Sequence, residues 1–114
     1  MMIRNARLDD LQAIVEIEQE NFSDMAASLE TMKERILTIP DTFLVAEIDG
    51  AVAGYIEGPV VPQRYLTDDL FHQVEKNPVS GGFIAVTSFS VSPRFQGQGV
   101  GTALLATMKD LAIA

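Results

Sequence analysis

Three glycines at every second position, Gly97, Gly99 and Gly101, form the stretch of this chain with the clearest chemical meaning. They follow an apolar, β-branched run over residues 83–91 and precede a helical pattern over residues 103–114. Glycines remove side chains from a strand-to-helix turn, so its backbone amides and the helix N-terminus can hold phosphate oxygens. The stretch therefore predicts a phosphate-binding loop.

The spacing of the glycines identifies the kind of loop. A dinucleotide fingerprint needs G-x-G-x-x-G and a P-loop needs Gly-Lys-Ser/Thr, and neither pattern is present in this stretch. Gln96-x-x-Gly99-x-Gly101, preceded by Val91-Ser92-Pro93, instead resembles the acetyl-CoA pyrophosphate loop of the GNAT N-acetyltransferase superfamily, Q/R-x-x-G-x-G/A. The alternative is an ordinary glycine-rich connection.

This resemblance implies an acetyl-CoA-dependent N-acetyltransferase in which an amine attacks the bound thioester directly. It also implies the residues that bind the co-substrate. The main chain of Phe89, Ser90 and Val91 would pair with the pantetheine arm, and the pyrophosphate would be held by Gln96, Gly97, Gln98, Gly99, Val100, Gly101 and Thr102. For the Thr102 side chain, helix capping is an equal alternative to a phosphate contact.

Composition restricts the other functions. The 114 residues are 47% hydrophobic, which suits one small domain. The chain has no cysteine, which excludes disulfides, a thiol nucleophile and thiolate metal sites. His72 is the one histidine, which excludes a metal site of several histidines, and we expect no metal. No apolar run is long enough to span a membrane, and the first residues lack a signal-peptide layout, so we expect a cytoplasmic protein without a membrane partner.

The net charge of −8 argues against a nucleic-acid partner and favours cationic substrates, although simple solubility explains it equally well. The charge is unfavourable for an anionic co-substrate. Near the glycine loop, however, the chain places Arg94 and no acidic residue before Asp110. Because salt screens surface charges within about 8–10 Å, this local charge is expected to decide binding.

The pattern along the chain predicts an α/β domain. In order, we expect a strand at residues 3–7, a helix capped by Asp9, a helix capped by Ser28 and stopped by Pro40, a hairpin of residues 42–48 and 51–56 about Asp49-Gly50, a short helix at 67–74, and a strand at 83–91 buried on both faces.

This order resembles the N-terminal two-thirds of a single GNAT domain over residues 1–114, with a mixed, mostly antiparallel sheet flanked by helices. Family members continue with further strands and a helix that often carries a catalytic tyrosine, so the resemblance implies a C-terminally incomplete domain. A sheet that ends at residues 83–91 would leave an unpaired apolar edge, which a homo-oligomer would cover.

Within the superfamily, the chain most resembles the arylalkylamine N-acetyltransferase branch. The resemblance rests on four short motifs, Phe22-Ser23, Gly58-Pro59, Arg64-Tyr65-Leu66 and Ser90-Val91. This similarity implies a small-molecule amine as the acceptor. Protein N-terminal or lysine acetylation is one alternative, and a non-catalytic CoA-binding or interaction remnant is another. That branch has histidines on the strand before the loop, where this chain has Ala85 and Thr87, so its proton-handling scheme does not transfer.

The sequence assigns no catalytic base. Glu57 ends a predicted strand, where an exposed carboxylate is the commoner role, and His72 is more typical of a surface position. Tyr55 and Tyr65 are more typical of packing or of a pocket rim. An apolar amine pocket could be lined by Phe22, Met25, Pro59 and Phe71, and core packing explains each of the four equally well.

Overall fold

The computed structural model describes residues 1–61, 77 and 83–113. Its helices and strands are β1 (Met2–Asn5), α1 (Leu11–Phe22), α2 (Leu29–Thr38), β2 (Phe43–Ile48), β3 (Ala51–Glu57), β4 (Val60–Val61), β5 (Phe83–Ile84), β6 (Ser88–Val91) and α3 (Val100–Ile113). The helix predicted at residues 67–74, with Tyr65, Phe71 and His72, lies outside the described residues.

Four strands form an antiparallel sheet in the order β1-β2-β3-β6, and β4 pairs with β5 separately. The hairpin of β2 and β3 confirms the turn predicted at Asp49-Gly50. Asp49 has φ 51° and Gly50 has φ 82°, so both central residues are left-handed, as a type I′ turn requires. The fold is therefore the predicted α/β arrangement of an antiparallel sheet flanked by helices.

Both faces of the sheet carry a core, because alternate residues of each strand point to opposite sides. Phe43, Val45 and Tyr55 pack with the buried residues of α1 and α2, which are Ile14, Ile17, Met32 and Ile36. Leu44, Ala46, Ala53 and Ile56 pack on the other face with Val100, Leu104 and Met108 of α3. The helix that follows the glycine loop is thus anchored by its own buried side chains.

The predicted single strand at residues 83–91 is wrong, because the chain divides there into β5 and β6. The N–H of Ala85 donates to the Pro59 carbonyl at 2.9 Å, and the N–H of Thr87 donates to the Glu57 carbonyl at 2.9 Å. The run therefore pairs first with the segment after Gly58 and then, from Thr87 onward, with β3. This close approach needs glycine, since a Cβ at Gly58 would lie 1.9 Å from the Ala85 carbonyl oxygen.

The helix caps were predicted with mixed success. Ser28 caps α2 as expected, with its hydroxyl accepting the Thr31 N–H at 3.1 Å. Asp9 does not cap α1, because the turn Leu8–Asp10 precedes the helix and Asp10 accepts the Arg7 N–H at 2.8 Å. Burial raises the pKa of Asp10, but hydrogen bonds from Arg4 and the Arg7 N–H outweigh it and hold that pKa below its usual value.

Candidate functional site

The glycine loop leaves the sheet through a short turn, Pro93–Phe95, which Ser92 organises. The carbonyl oxygen of the buried Ser92 accepts a hydrogen bond from the Phe95 N–H at 2.9 Å. Beyond the turn, Gly97 has φ 81° and Gly99 has φ 79°. L-residues with side chains rarely adopt this left-handed region, so the two glycines are needed for the path of the loop.

The loop ends directly on the N-terminus of α3. The N–H of Ala103 donates to the Gly99 carbonyl at 3.0 Å and begins the helical pattern. The amides of Val100, Gly101 and Thr102 lie in the first turn, where a helix offers them no acceptor. No atom lies within 4 Å of a Cβ built on either left-handed glycine, so the loop surface is open. This geometry can hold an anion.

Among the described residues, β6 is the last strand of its sheet, and its outer edge lies beside the loop. The Ser92 N–H donates to the Ala53 carbonyl at 2.7 Å, so Ser92 directs its main-chain groups to β3. In an antiparallel pair every second residue does so, and the pattern therefore continues along β6 from Ser92. Ser90, in register with Tyr55, faces β3 in this way. Phe89 and Val91 direct their N–H and C=O groups away from β3. Two of the three residues predicted to pair with a pantetheine arm therefore have the required orientation.

Arg94 is the only cation near the loop in sequence. Tertiary packing brings acidic side chains beside it, and sequence reasoning missed this proximity. An open groove of about 600 Å³ lies between α1 and the turn before the loop. Its lining residues are Gln12, Val15, Glu16, Gln19, Glu20 and Arg94. Arg94 thus shares its surface with two carboxylates of α1, which are more than 70 residues away in sequence. The local field at the turn is less positive than the sequence suggests.

Glu57 is buried, so the prediction of an exposed carboxylate at this position is wrong. The Glu57 carboxylate is 1% exposed and accepts from the Arg35 guanidinium of α2 at 3.0 and 3.1 Å. The Thr87 hydroxyl donates to it at 2.7 Å and accepts from Arg35 at 2.6 Å. Burial raises the pKa of Glu57, against the opposing effects of Arg35 and Thr87. A carboxylate enclosed in this way is poorly placed to take a proton from an amine.

A second buried carboxylate, Glu18 of α1, lies near this pair. Its two oxygens accept from the Tyr55 hydroxyl and, at 2.7 Å, from the Ala27 N–H. Tyr55 is fully buried, in agreement with the packing role predicted for it, and burial together with Glu18 raises the pKa of its phenol above the usual value. Sequence reasoning missed Glu18. The available signal was a carboxylate directly after Ile17, on the apolar side of α1.

The residues predicted to line an amine pocket divide into two groups. Phe22 is 41% exposed and Met25 is 85% exposed, so the core-packing alternative does not apply to them. Both follow Asn21 in sequence, and the Asn21 side chain contacts β6. Pro59 is buried, and Phe71 lies outside the described residues.

Within residues 1–61, 77 and 83–113, no group of three or more histidine, aspartate or glutamate side chains could hold a metal ion. No helix among these residues is long and apolar enough to cross a membrane.

The sequence model of the acetyltransferase (GNAT) family matches residues 9–114. A curated relative, named as an uncharacterized N-acetyltransferase of Methanocaldococcus jannaschii, is 32% identical over 110 residues. That match covers 96% of this chain and 58% of the relative, so the chain spans little more than half of its length.

Solved structures show the same fold. Ard1 from Thermoplasma volcanium superposes with a TM-score of 0.74 at 21% identity, covering 98% of this chain and 63% of that protein. GphF, described as a GNAT-like decarboxylase in complex with isobutyryl-CoA, superposes with a TM-score of 0.78 at 21% identity, covering 98% of this chain and 59% of that protein.

Proposed function

Because the chain belongs to the GNAT acetyltransferase family, we propose that it binds acetyl-CoA and transfers the acetyl group to a primary amine. The observation that carries this proposal is the open, left-handed loop of Gly97 and Gly99 at the N-terminus of α3, next to the outer edge of β6. The pyrophosphate would lie against residues 96–102. The pantetheine arm would run along β6, with Phe89 and Val91 supplying the outward-facing main-chain groups.

The chemistry we propose has no acyl-enzyme intermediate, since the chain contains no cysteine. The amine nitrogen attacks the thioester carbonyl carbon, the C–S bond breaks, and the thiolate takes up a proton as CoA leaves. An alkylamine resembles lysine, with a pKa of ~10.4, so it must first lose a proton. Glu57 and Tyr55 are both buried and hydrogen-bonded, which leaves the base unassigned. His72 and Tyr65 remain candidates from the sequence alone.

Co-substrate binding is tested with a matched pair of glycines. Gly99 and Gly50 have φ of 79° and 82°, and neither has an atom within 4 Å of an added Cβ. Alanine at either position should therefore cost a similar free energy of unfolding, about 1–2 kcal/mol. Only Gly99→Ala places a methyl group over the proposed phosphate site, so it should weaken CoA binding about tenfold or more.

The measurements are urea denaturation and calorimetric CoA titration of wild type, Gly99→Ala and Gly50→Ala. NAD serves as the comparison ligand. Equal losses of CoA affinity in both variants would show that Gly99 serves folding alone. Binding of NAD but not CoA by the wild type would refute the co-substrate.

For the acceptor, we propose a small amine with a hydrophobic body, as in the arylalkylamine branch. The exposed Phe22 and Met25, which follow the β6-contacting Asn21 in sequence, and the net charge of −8 support this substrate class. Phenethylamine-like compounds should turn over faster than polyamines, which bring charge but little apolar surface to bury. The assay is CoA release with arylalkylamines, polyamines and peptides with free N-termini, and faster turnover of peptides would assign the protein to N-terminal acetylation.

A variant pair connects the acceptor to the surface. Met25→Gln should raise the KM for phenethylamine, whereas Leu37→Gln, at a residue 57% exposed on α2, should not. That the protein acts in the cytoplasm, and that residues 1–114 are two-thirds of one domain, stay predictions from the sequence.

A further inference from the structure

The last turn of α1 lies against the outer edge of β6, and one side chain makes the contact. Asn21 Nδ2 donates to the Val91 carbonyl oxygen at 2.9 Å and also donates to the Ser90 hydroxyl. The Asn21 side chain is exposed, whereas Ser90 is 6% exposed. The contact is thus a polar clasp on the surface of the molecule, which we call the Asn21 clasp.

The register of β6 shows why the Val91 contact matters. Val91 lies opposite Gly54, one step from Ser92, whose N–H donates to Ala53. Main-chain groups of neighbouring residues in an antiparallel strand point to opposite sides, so the Val91 carbonyl points away from β3. It belongs to the same outward-facing set as the groups of Phe89. A ligand lying along this edge would use the Val91 carbonyl as a hydrogen-bond acceptor.

We propose that Asn21 competes with the co-substrate for the edge of β6: its side-chain amide holds the Val91 carbonyl in the free protein and yields it to an amide of the pantetheine arm. This inference rests on the function proposed above. An Asn side chain and a pantetheine amide present the same N–H donor to the same oxygen, so the clasp competes with the ligand. The bond to Ser90 lets Asn21 stay attached to β6 after it releases Val91.

The position of Asn21 suits such an exchange. Phe22 ends α1, and Ser23 follows with a φ of 46°. The competing donor is therefore carried by the last helical turn, directly before the connection that exposes Phe22 and Met25. Arrival of the pantetheine arm would then alter the contact of α1 with β6 at the point where we place the acceptor.

The test is calorimetric titration of wild type and Asn21→Ala with two ligands, CoA and adenosine 3′,5′-bisphosphate, which lacks the pantetheine arm. Loss of one competing hydrogen bond should tighten CoA binding about three- to tenfold. Affinity for the bisphosphate should not change. Gln19→Ala is the matched control, since Gln19 is an exposed α1 residue on the groove side. Alanine favours helix, so neither substitution threatens the fold.

Weaker or unchanged CoA binding by Asn21→Ala, with wild type binding CoA normally, would overturn the clasp and leave the proposed function intact. An equal change for CoA and the bisphosphate would also overturn it, because the effect would not involve the arm. Failure of the wild type to bind CoA would overturn the proposed function and the clasp together.

Discussion

At the scale of single residues, the described side chains between the sheet and helices α1 and α2 include two buried carboxylates and one buried guanidinium. Glu18 and Glu57 are 3% and 1% exposed, and Arg35 is 4% exposed. Arg35 binds Glu57 directly, whereas the hydrogen bonds of Glu18 come from neutral donors, the Tyr55 hydroxyl and the Ala27 N–H. Glu18 and Glu57 repel each other, which contributes to the raised pKa of Glu57. The balance of charge therefore depends strongly on Arg35.

This imbalance predicts unequal effects of removing the two partners. Arg35→Met leaves two buried carboxylates near each other and should cost about 3–5 kcal/mol of unfolding free energy at pH 7. Glu57→Gln should cost less, because it removes one of the two mutually repelling carboxylates and glutamine can still hydrogen-bond. Urea denaturation of both variants and wild type measures the difference, and an equal or larger cost for Glu57→Gln would contradict this account.

The pH dependence of the same variants has a definite sign. A carboxyl group with a raised pKa binds more protons in the folded than in the unfolded protein, so its contribution to stability falls as pH rises. Removal of Arg35 takes away a group that lowers the pKa of Glu57, whereas burial and repulsion by Glu18 continue to raise that pKa. The Arg35→Met protein should therefore recover stability relative to wild type as the pH is lowered from 7 toward 5. A deficit that grows on acidification would contradict the assignment.

At the scale of elements, helix α3 and the glycine loop are positioned by close contact with strands β3 and β6. A Cβ at Gly54 of β3 would lie 2.8 Å from the Ser90 carbonyl oxygen and 3.0 Å from Val100 Cγ1. A Cβ at Gly101 of α3 would instead meet Phe89 and Val91 at 3.5 Å, an ordinary van der Waals distance. The two glycines flank one interface but face different constraints.

Alanine substitutions should separate these constraints. Gly54→Ala forces β6 or α3 to shift and should destabilise the protein by about 1–3 kcal/mol. Gly101→Ala should be neutral or stabilise it by up to about 1 kcal/mol, because alanine favours helix. The free energy of unfolding in urea measures both effects. A comparable loss for Gly101→Ala would show that the interface is tighter than the distances indicate.

At the scale of the whole molecule, β6 connects two chemically different faces. Its residues Phe89 and Val91 lie toward α3, as their contacts with a Cβ at Gly101 show, whereas Ser90 lies toward Asn21 of α1. The α3 face is an apolar core, and the α1–α2 face contains the buried charges. A ligand on the edge of β6 would thus lie between the glycine loop and the last turn of α1, which carries the exposed Phe22.

The distribution of charge belongs to the same scale. The chain has a net charge of −8, and packing brings Glu16 and Glu20 to the groove that contains Arg94. An anionic ligand therefore gains little from side-chain charge on this side of the loop. Backbone amides and the dipole of α3 have to supply the attraction, and these act over the first turn of the helix.

The sequence by itself determined the features that depend on neighbouring residues. The glycine loop, the turn at Asp49-Gly50 and the Ser28 cap were predicted correctly in position, and the loop spacing indicated the family that the comparison confirmed. Each depends on a backbone conformation or a hydrogen bond within a few residues. Residue types at fixed spacing are sufficient to specify such local geometry.

Only the tertiary structure decided which distant groups meet. The partner of Glu57 is 22 residues away, and the side chain on the Val91 carbonyl is 70 residues away. The division of residues 83–91 into two strands also depends on a distant segment, around Gly58. In each case the outcome depends on how helices pack on the sheet or how strands pair, and periodicity within one element carries no information about its partner.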